Sequence, residues 1–121
     1  MMSKKWLIPD MYYPGDNVPG PVFGHEAVSV LNTSDEDATI EITLYFEDRE
    51  PMQLETYVVK ARRTWHIRMD LAKGKDGTPV PKDTPYASMV ESNVNVAVQY
   101  GRADARQVAL AAITTMACPI D

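Results

Sequence analysis

An antiparallel β-sandwich is the fold this sequence predicts, and three observations predict it. Apolar and polar residues alternate with period two through the middle of the chain. The pattern is clearest in ATIEITLYF, where Ala38, Ile40, Ile42, Leu44 and Phe46 share one face and Thr39, Glu41, Thr43 and Tyr45 the other. Prolines and glycines cut the chain into short segments. No long stretch carries a convincing amphipathic helical stripe, and many short strands joined by polar turns make a sandwich or barrel. With 121 residues and 45% hydrophobic composition, the chain matches one domain that buries roughly two-thirds of its unfolded surface.

Residues 1–24 are expected to form an extended, wrapping segment. Pro9, Pro14, Pro19 and Pro21 fix φ and remove hydrogen-bond donors, and Gly15, Gly20 and Gly24 loosen the same stretch. HEAVSVLN then reads as a β-branched, apolar strand. The NTSDED residues after it supply a turn, so residues 25–46 read as an antiparallel hairpin. LETYVVK and NVAVQYG give two more strands centred on Val58 and Val96, and ASMVES a weaker one. Between them, KGKDGTPVPKDTP over residues 73–85 joins the Asp76-Gly77 turn signal to Pro79, Pro81 and Pro85, which predicts an exposed loop. The tail RQVALAAITTMA leaves two readings open. Val108, Ala111, Ala112 and Thr115 make a helical stripe, while Ile113 to Met116 favours a strand.

Charge and cysteine content narrow the function classes. A net charge of −5 repels phosphate backbones and anionic membranes, so nucleic acid is a disfavoured partner. Cys118 has no partner for an internal disulfide and reads as a small apolar filler. The start MMSKKWLIPD has only Trp6, Leu7 and Ile8 before Pro9, and no apolar run approaches the ~18 residues of a spanning helix, so a cytoplasmic protein is expected.

The stretch ARRTWHIR, residues 61–68, concentrates basic residues in an acidic chain. Continued as a strand, it points Trp65, Ile67 and Met69 inward and Arg62, Thr64, His66 and Arg68 outward at a spacing of about 6.6 Å. Asp35, Glu36, Asp37, Glu41, Glu47, Asp48, Glu50 and Glu55 precede it. Three readings compete: cross-strand ion pairs, with Glu41 or Glu55 opposite His66; a binding face for an anionic or hydroxyl-rich ligand; and a subunit interface that adds Tyr45 and Tyr57. Catalytic motifs are lacking. There is no G-x-S-x-G and no P-loop, and His25, Glu26, His66 and Asp70 read more simply as hydrogen-bonding side chains than as a metal or acid–base set. No enzyme, metal or cofactor is expected.

As a set, HEAVSVLNTSDEDATIEITLYFEDREP, VKARRTWHIRM, YASMVESNVNVAVQYGRAD and the following RQ resemble the Anabaena-type sensory rhodopsin transducer family, in the same order and over nearly the whole chain. The resemblance implies a small β-sandwich that assembles as a cytoplasmic homotetramer, and a strand for the tail. It implies partner binding without catalysis, at the cytoplasmic face of a sensory rhodopsin or another membrane receptor. It also leaves a second role open, a carbohydrate-binding or sugar-sensing module with no receptor. A gene-regulatory role through nucleic acid is a third, disfavoured by charge. The ligand or partner face expected from these readings comprises Arg62, Arg63, His66 and Arg68 together with Arg102, Asp104, Arg106 and Gln107.

Overall fold

The computed structural model describes residues 2–20 and 24–120. All its regular elements are strands: β1 (Ser3–Tyr12), β2 (His25–Asn32), β3 (Ala38–Phe46), β4 (Met52–Gln53), β5 (Tyr57–Val59), β6 (Arg63–Arg68), β7 (Pro85–Asp104), β8 (Ala111–Met116) and β9 (Cys118–Ile120). Every pairing between them is antiparallel.

Strand β7 belongs to both layers of the sandwich. Its first half, from Pro85 to Ser92, lies between β1 and β3, with β9 beyond β1 and the short β4 and β5 on the far side of β3. Its second half, from Ala97 to Asp104, lies between β2 and β8, with β6 beyond β2. Alternation explains how one strand serves both. Tyr86, Ser88 and Val90 are buried, as are Val96, Val98 and Tyr100, while Asn93 and Asn95 between them are exposed where the chain passes from one layer to the other. ASMVES and NVAVQYG, expected as separate strands, are therefore one 20-residue element.

The core lies between the layers. Val28 and Val30 of β2, Ile40, Ile42 and Leu44 of β3, and Trp6, Ile8 and Met11 of β1 are at most 2% exposed and belong to a single apolar cluster. Trp6 Nε1 donates to the carbonyls of Ser3 and Val96, which satisfies the one polar atom of a ring that would otherwise be costly to bury.

Several expectations need correction. Residues 25–46 are two strands but not a hairpin, because β2 pairs with β6 and β7 and β3 with β4, β5 and β7. Alternation fixes which face is apolar, and facing layers need the same apolar face as paired strands do. The Asn32 side chain holds the connection between them, donating to the Glu36, Val59 and Lys60 carbonyls and accepting from Ser34 N and Oγ. The N-terminal segment is half strand: β1 runs through Pro9, which sits in the register shift between Ile8 and Met11, where a missing N–H costs no ladder bond. After it, Asp83 N donates to Tyr13 O, Gly15 N to Asp83 Oδ1 and Val18 N to Ala105 O. A Cβ at Gly15 would come within 2.2 Å of Asp83 Oδ2, so this contact needs glycine or a displaced carboxylate. Pro21, part of the same expectation, lies outside the described residues.

Residues 73–84 are irregular, with Gly77 at φ +88° as its turn signal requires, and Pro85 already opens β7. The segment is not wholly exposed, because Val80 is buried in the core together with the preceding Ala72. LETYVVK contributes only three strand residues, and its Leu54 forms an isolated bridge to Gly74. Cys118 is exposed on β9 and fills no core space. The tail forms strand β8, as the family resemblance implies.

Candidate binding surfaces

The basic stretch does not form one rib. Arg62 occupies the turn between β5 and β6 at φ +58°, held by its N–H to the Ser34 carbonyl and by Nε to Asp35 Oδ1 at 2.7 Å. Thr64, His66 and Arg68 follow on β6 opposite Leu31, Ser29 and Ala27 of β2, on the outward face. Arg68 forms a bidentate pair with Asp70 at 2.6 and 2.7 Å, which holds the guanidinium above its usual pKa. Glu41 and Glu55 do not lie across from His66. Glu41 pairs with Glu91 on the other layer, accepts from Thr56 Oγ1 and lies 3.8 Å from Lys75.

Arg63, Trp65 and Ile67 share the inward face, opposite Asn32, Val30 and Val28. Ile67 is buried, yet Trp65 is 43% exposed on β6, the outermost strand of its layer. Its ring meets Tyr57 edge-on at 5.3 Å. Glu55, Arg68 and Leu71 border the hollow beside this pair. Burial, followed by the nearby Glu55 charge, raises the Tyr57 hydroxyl pKa.

The expected site is split both along β2 and between its faces: Arg68, opposite Ala27, lies near the same end as Arg102, opposite Glu26, but these are adjacent positions of β2 whose side chains alternate between the two faces. Arg63 pairs with Asn32 and Arg102 with Glu26, six residues away along a strand that rises about 3.4 Å per residue. The eight expected residues therefore divide into separate groups. Asp104 and Arg106 form a tight bidentate pair, with Nη2 to Oδ2 at 2.6 Å, which lowers the Asp104 pKa and raises that of Arg106. The Arg106 guanidinium also covers the Tyr12 ring at 5.2 Å and reaches Asp83 at 3.8 Å. Arg102 lines a cleft with Asp10, Tyr12, Asp104 and Arg106. Gln107 lies in a different hollow, bordered by Val18, Ala105, Val108 and Leu110.

Beneath Arg102 lies a buried polar cluster that sequence reasoning missed. Glu26 is fully buried. Its Oε1 accepts from the Tyr86 hydroxyl, and its Oε2 from the Tyr100 hydroxyl and from Tyr12 N at 3.1 Å. Desolvation raises the Glu26 pKa, with the Tyr100 and Tyr86 hydrogen bonds opposing it. Burial beside this carboxylate pushes both tyrosines up in turn. The available signal was parity: Glu26 shares a face with Val28 and Val30, so the β2 alternation already placed a carboxyl inside. Among the described residues, no three His, Cys, Asp or Glu side chains converge to hold a metal ion.

The outer face of the β6–β2–β7–β8 layer is built differently. Ser29, Leu31, Thr64, His66, Ala97, Gln99 and Met116 line a shallow hollow of about 400 Å³. All six residues of β8 are exposed, and Ile113 and Met116 are about half accessible. Just before the strand, Val108 is 95% exposed and Leu110 51%.

Comparison with known proteins places this architecture. The Anabaena sensory rhodopsin transducer family model matches residues 1–119. The crystal structure of Thermotoga maritima 1070 superposes with a TM-score of 0.84 at 33% identity, over 98% of this chain and 95% of that one. The structure of an Anabaena sensory rhodopsin transducer superposes with a TM-score of 0.72 at 42% identity, over 83% of this chain and 87% of that one. No curated protein matches significantly. Sequence and fold agree over nearly the full length, and the chain belongs to the Anabaena sensory rhodopsin transducer family.

Proposed function

We propose that this protein is a non-enzymatic, cytoplasmic signal transducer that works as a homo-oligomer, with four copies the expected number. Its partner is the cytoplasmic face of a membrane receptor of the sensory rhodopsin kind. Family membership supports the transducer role. One observation carries the assembly: β8 is an edge strand with every residue exposed and no charge from Gln107 to Ile120.

Soluble proteins blunt free edges with charge, proline or a bulge, and this edge has none within the strand. Two β8 edges related by a two-fold axis would pair antiparallel and continue one layer into the next subunit, which is a self-complementary contact. Covering Val108, Leu110, Ile113 and Met116 contributes about 1–2 kcal/mol each, since all but Val108 are already half covered. Light scattering is expected to give a mass several times 13.5 kDa, and Ile113→Asp to reduce it. A wild-type monomer at micromolar concentration overturns the reading.

A second reading, a carbohydrate-binding module without a receptor, is favoured by Trp65. Its half-exposed ring, set against Tyr57 beside Glu55 and Arg68, has the aromatic surface and polar rim on which a sugar ring packs. Sugar-induced thermal stabilisation that is abolished by Trp65→Ala would establish it. A flat response across a sugar panel removes it.

A further inference from the structure

Arg102 and Asp10 are the two charged side chains of one cleft that take part in no side-chain hydrogen bond or close ion pair among the described residues, although Arg102 is near enough to Glu26 and Asp104 to favour their charged forms. Arg102 is the direct cross-strand neighbour of Glu26, the position from which an ion pair would be expected. That pair does not form, because the Glu26 carboxylate is already held by Tyr86, Tyr100 and the Tyr12 N–H. The half-buried Arg102 guanidinium is left without a hydrogen-bond or ion-pair partner among the described residues and lines the cleft. Asp10 lies across from it on β1. It sits in the register shift between Ile8 and Met11, a kind of irregularity that re-aims side chains away from the ladder and recurs beside binding sites. Its carboxylate also has no partner among the described residues.

The remaining charges of the cleft are occupied with one another. Arg106 is held by Asp104, covers the Tyr12 ring and reaches Asp83, and the Tyr12 hydroxyl donates to Asp83. What remains is one cation and one anion lining a single cleft of about 320 Å³, with no ion pair between them. The cleft has the size of a small-ligand site, which starts at about 300 Å³. A ligand that completes it must bring a negative group to Arg102 and a positive group to Asp10. A phosphate or simple carboxylate would meet Asp10 and Asp104 as like charges, and a simple amine would meet Arg102 and Arg106.

We propose that the cleft between Arg102 and Asp10 binds a free zwitterionic α-amino acid. The Arg102 fork donates two parallel hydrogen bonds to its carboxylate, and Asp10 accepts from its ammonium group. This site rests on neither the assembly through β8 nor the Trp65 corner, so it stands or falls separately from the readings of function above.

Thermal shift and calorimetry with the twenty proteinogenic amino acids, on the full chain at fixed protomer concentration, test it. At least one amino acid is expected to bind saturably. Its analogues lacking one charge, the 2-hydroxy acid and the amino amide, should bind at least tenfold more weakly. Arg102→Met and Asp10→Asn should each weaken binding at least tenfold. Asp10 is exposed and has no partner, so Asp10→Asn should leave the unliganded melting temperature and circular dichroism unchanged and report on binding alone. The proposal is overturned if none of the twenty binds, if the hydroxy acid, the amide, glucose or inorganic phosphate binds as tightly as the amino acid, or if binding survives Asp10→Asn.

Discussion

Replacing Glu26 tests whether the buried carboxyl pins the two layers together. Glu26→Ala removes the acceptor for three donors: the Tyr86 hydroxyl, the Tyr100 hydroxyl and Tyr12 N. Tyr12 N keeps a second acceptor, the Tyr100 oxygen at 3.2 Å, so two hydroxyl donors are orphaned in a fully buried site. At about 1–3 kcal/mol for each buried unsatisfied group, plus a cavity term, the loss is about 3–6 kcal/mol. That is a large share of the ~5–15 kcal/mol that holds a typical domain together.

Glu26→Gln separates the charge from the hydrogen bonds. A carboxyl whose folded pKa is raised binds its proton more tightly folded than unfolded. Its stabilising contribution is therefore complete below the unfolded value of 4.5 and declines as pH rises through the folded value. The amide cannot ionise, so the variant should lose this decline. Its stability relative to wild type should rise between pH 5 and 8. Urea denaturation at fixed protomer concentration measures both variants. The reasoning fails if Glu26→Ala costs under 1 kcal/mol, or if the Gln variant and wild type keep a constant difference across that pH range.

Asn32→Ala removes a buried side chain that bonds the 32–36 turn to the end of β5, and a loss of about 2–4 kcal/mol in urea denaturation is expected. Gly77→Ala meets no atom within 4 Å but must hold φ +88°, so a cost near 1 kcal/mol from backbone strain alone is expected, with unchanged circular dichroism. Asp104 has its pKa lowered by Arg106, so its contribution is present above the unfolded value of 3.8 and is lost as pH falls through the folded one. Asp104→Asn should therefore flatten the acid limb of the stability profile.

The sequence made faces legible and left partners hidden. ATIEITLYF and HEAVSVLN have their apolar sides where alternation put them, since Ile40, Ile42, Leu44, Val28 and Val30 are all buried. What alternation could not tell is whether two consecutive strands pair edge to edge or stack face to face, because both arrangements need the same inward residues. The same ambiguity divided β7 into two expected strands, ASMVES and NVAVQYG, where the exposed Asn93 and Asn95 mark a crossing between layers within one strand. The expected basic face failed for a related reason. Arg62, Arg68 and Arg106 each take the nearest acid in the fold, Asp35, Asp70 and Asp104, and only for the last two is that acid close in sequence. Trp65 was placed on the correct side, yet its exposure follows from β6 being the outermost strand of its layer, a pairing the chain around Trp65 does not encode.

The C-terminal half of β7 ties the candidate surfaces together. Along it, Arg102 lies opposite Glu26 on one side and Ile113 of β8 on the other, so the amino-acid cleft, the buried carboxyl and the free edge meet at one rung of the ladder. A ligand on Arg102 and a second copy on β8 therefore act on the same backbone segment. Thermodynamic reciprocity limits what this achieves: if the ligand tightens assembly by some factor, assembly tightens the ligand by the same factor. A ligand that binds free and assembled chains equally would shift nothing. Tyr100 gives the rung its stiffness. It is fully buried one pleat from Arg102, and its hydroxyl is fixed on Glu26, so β7 cannot move at Arg102 without disturbing the hydrogen bonds that join the two layers. A displacement of β7 relative to β1 and β2 would therefore have to break hydrogen bonds among Tyr12, Glu26, Tyr86 and Tyr100.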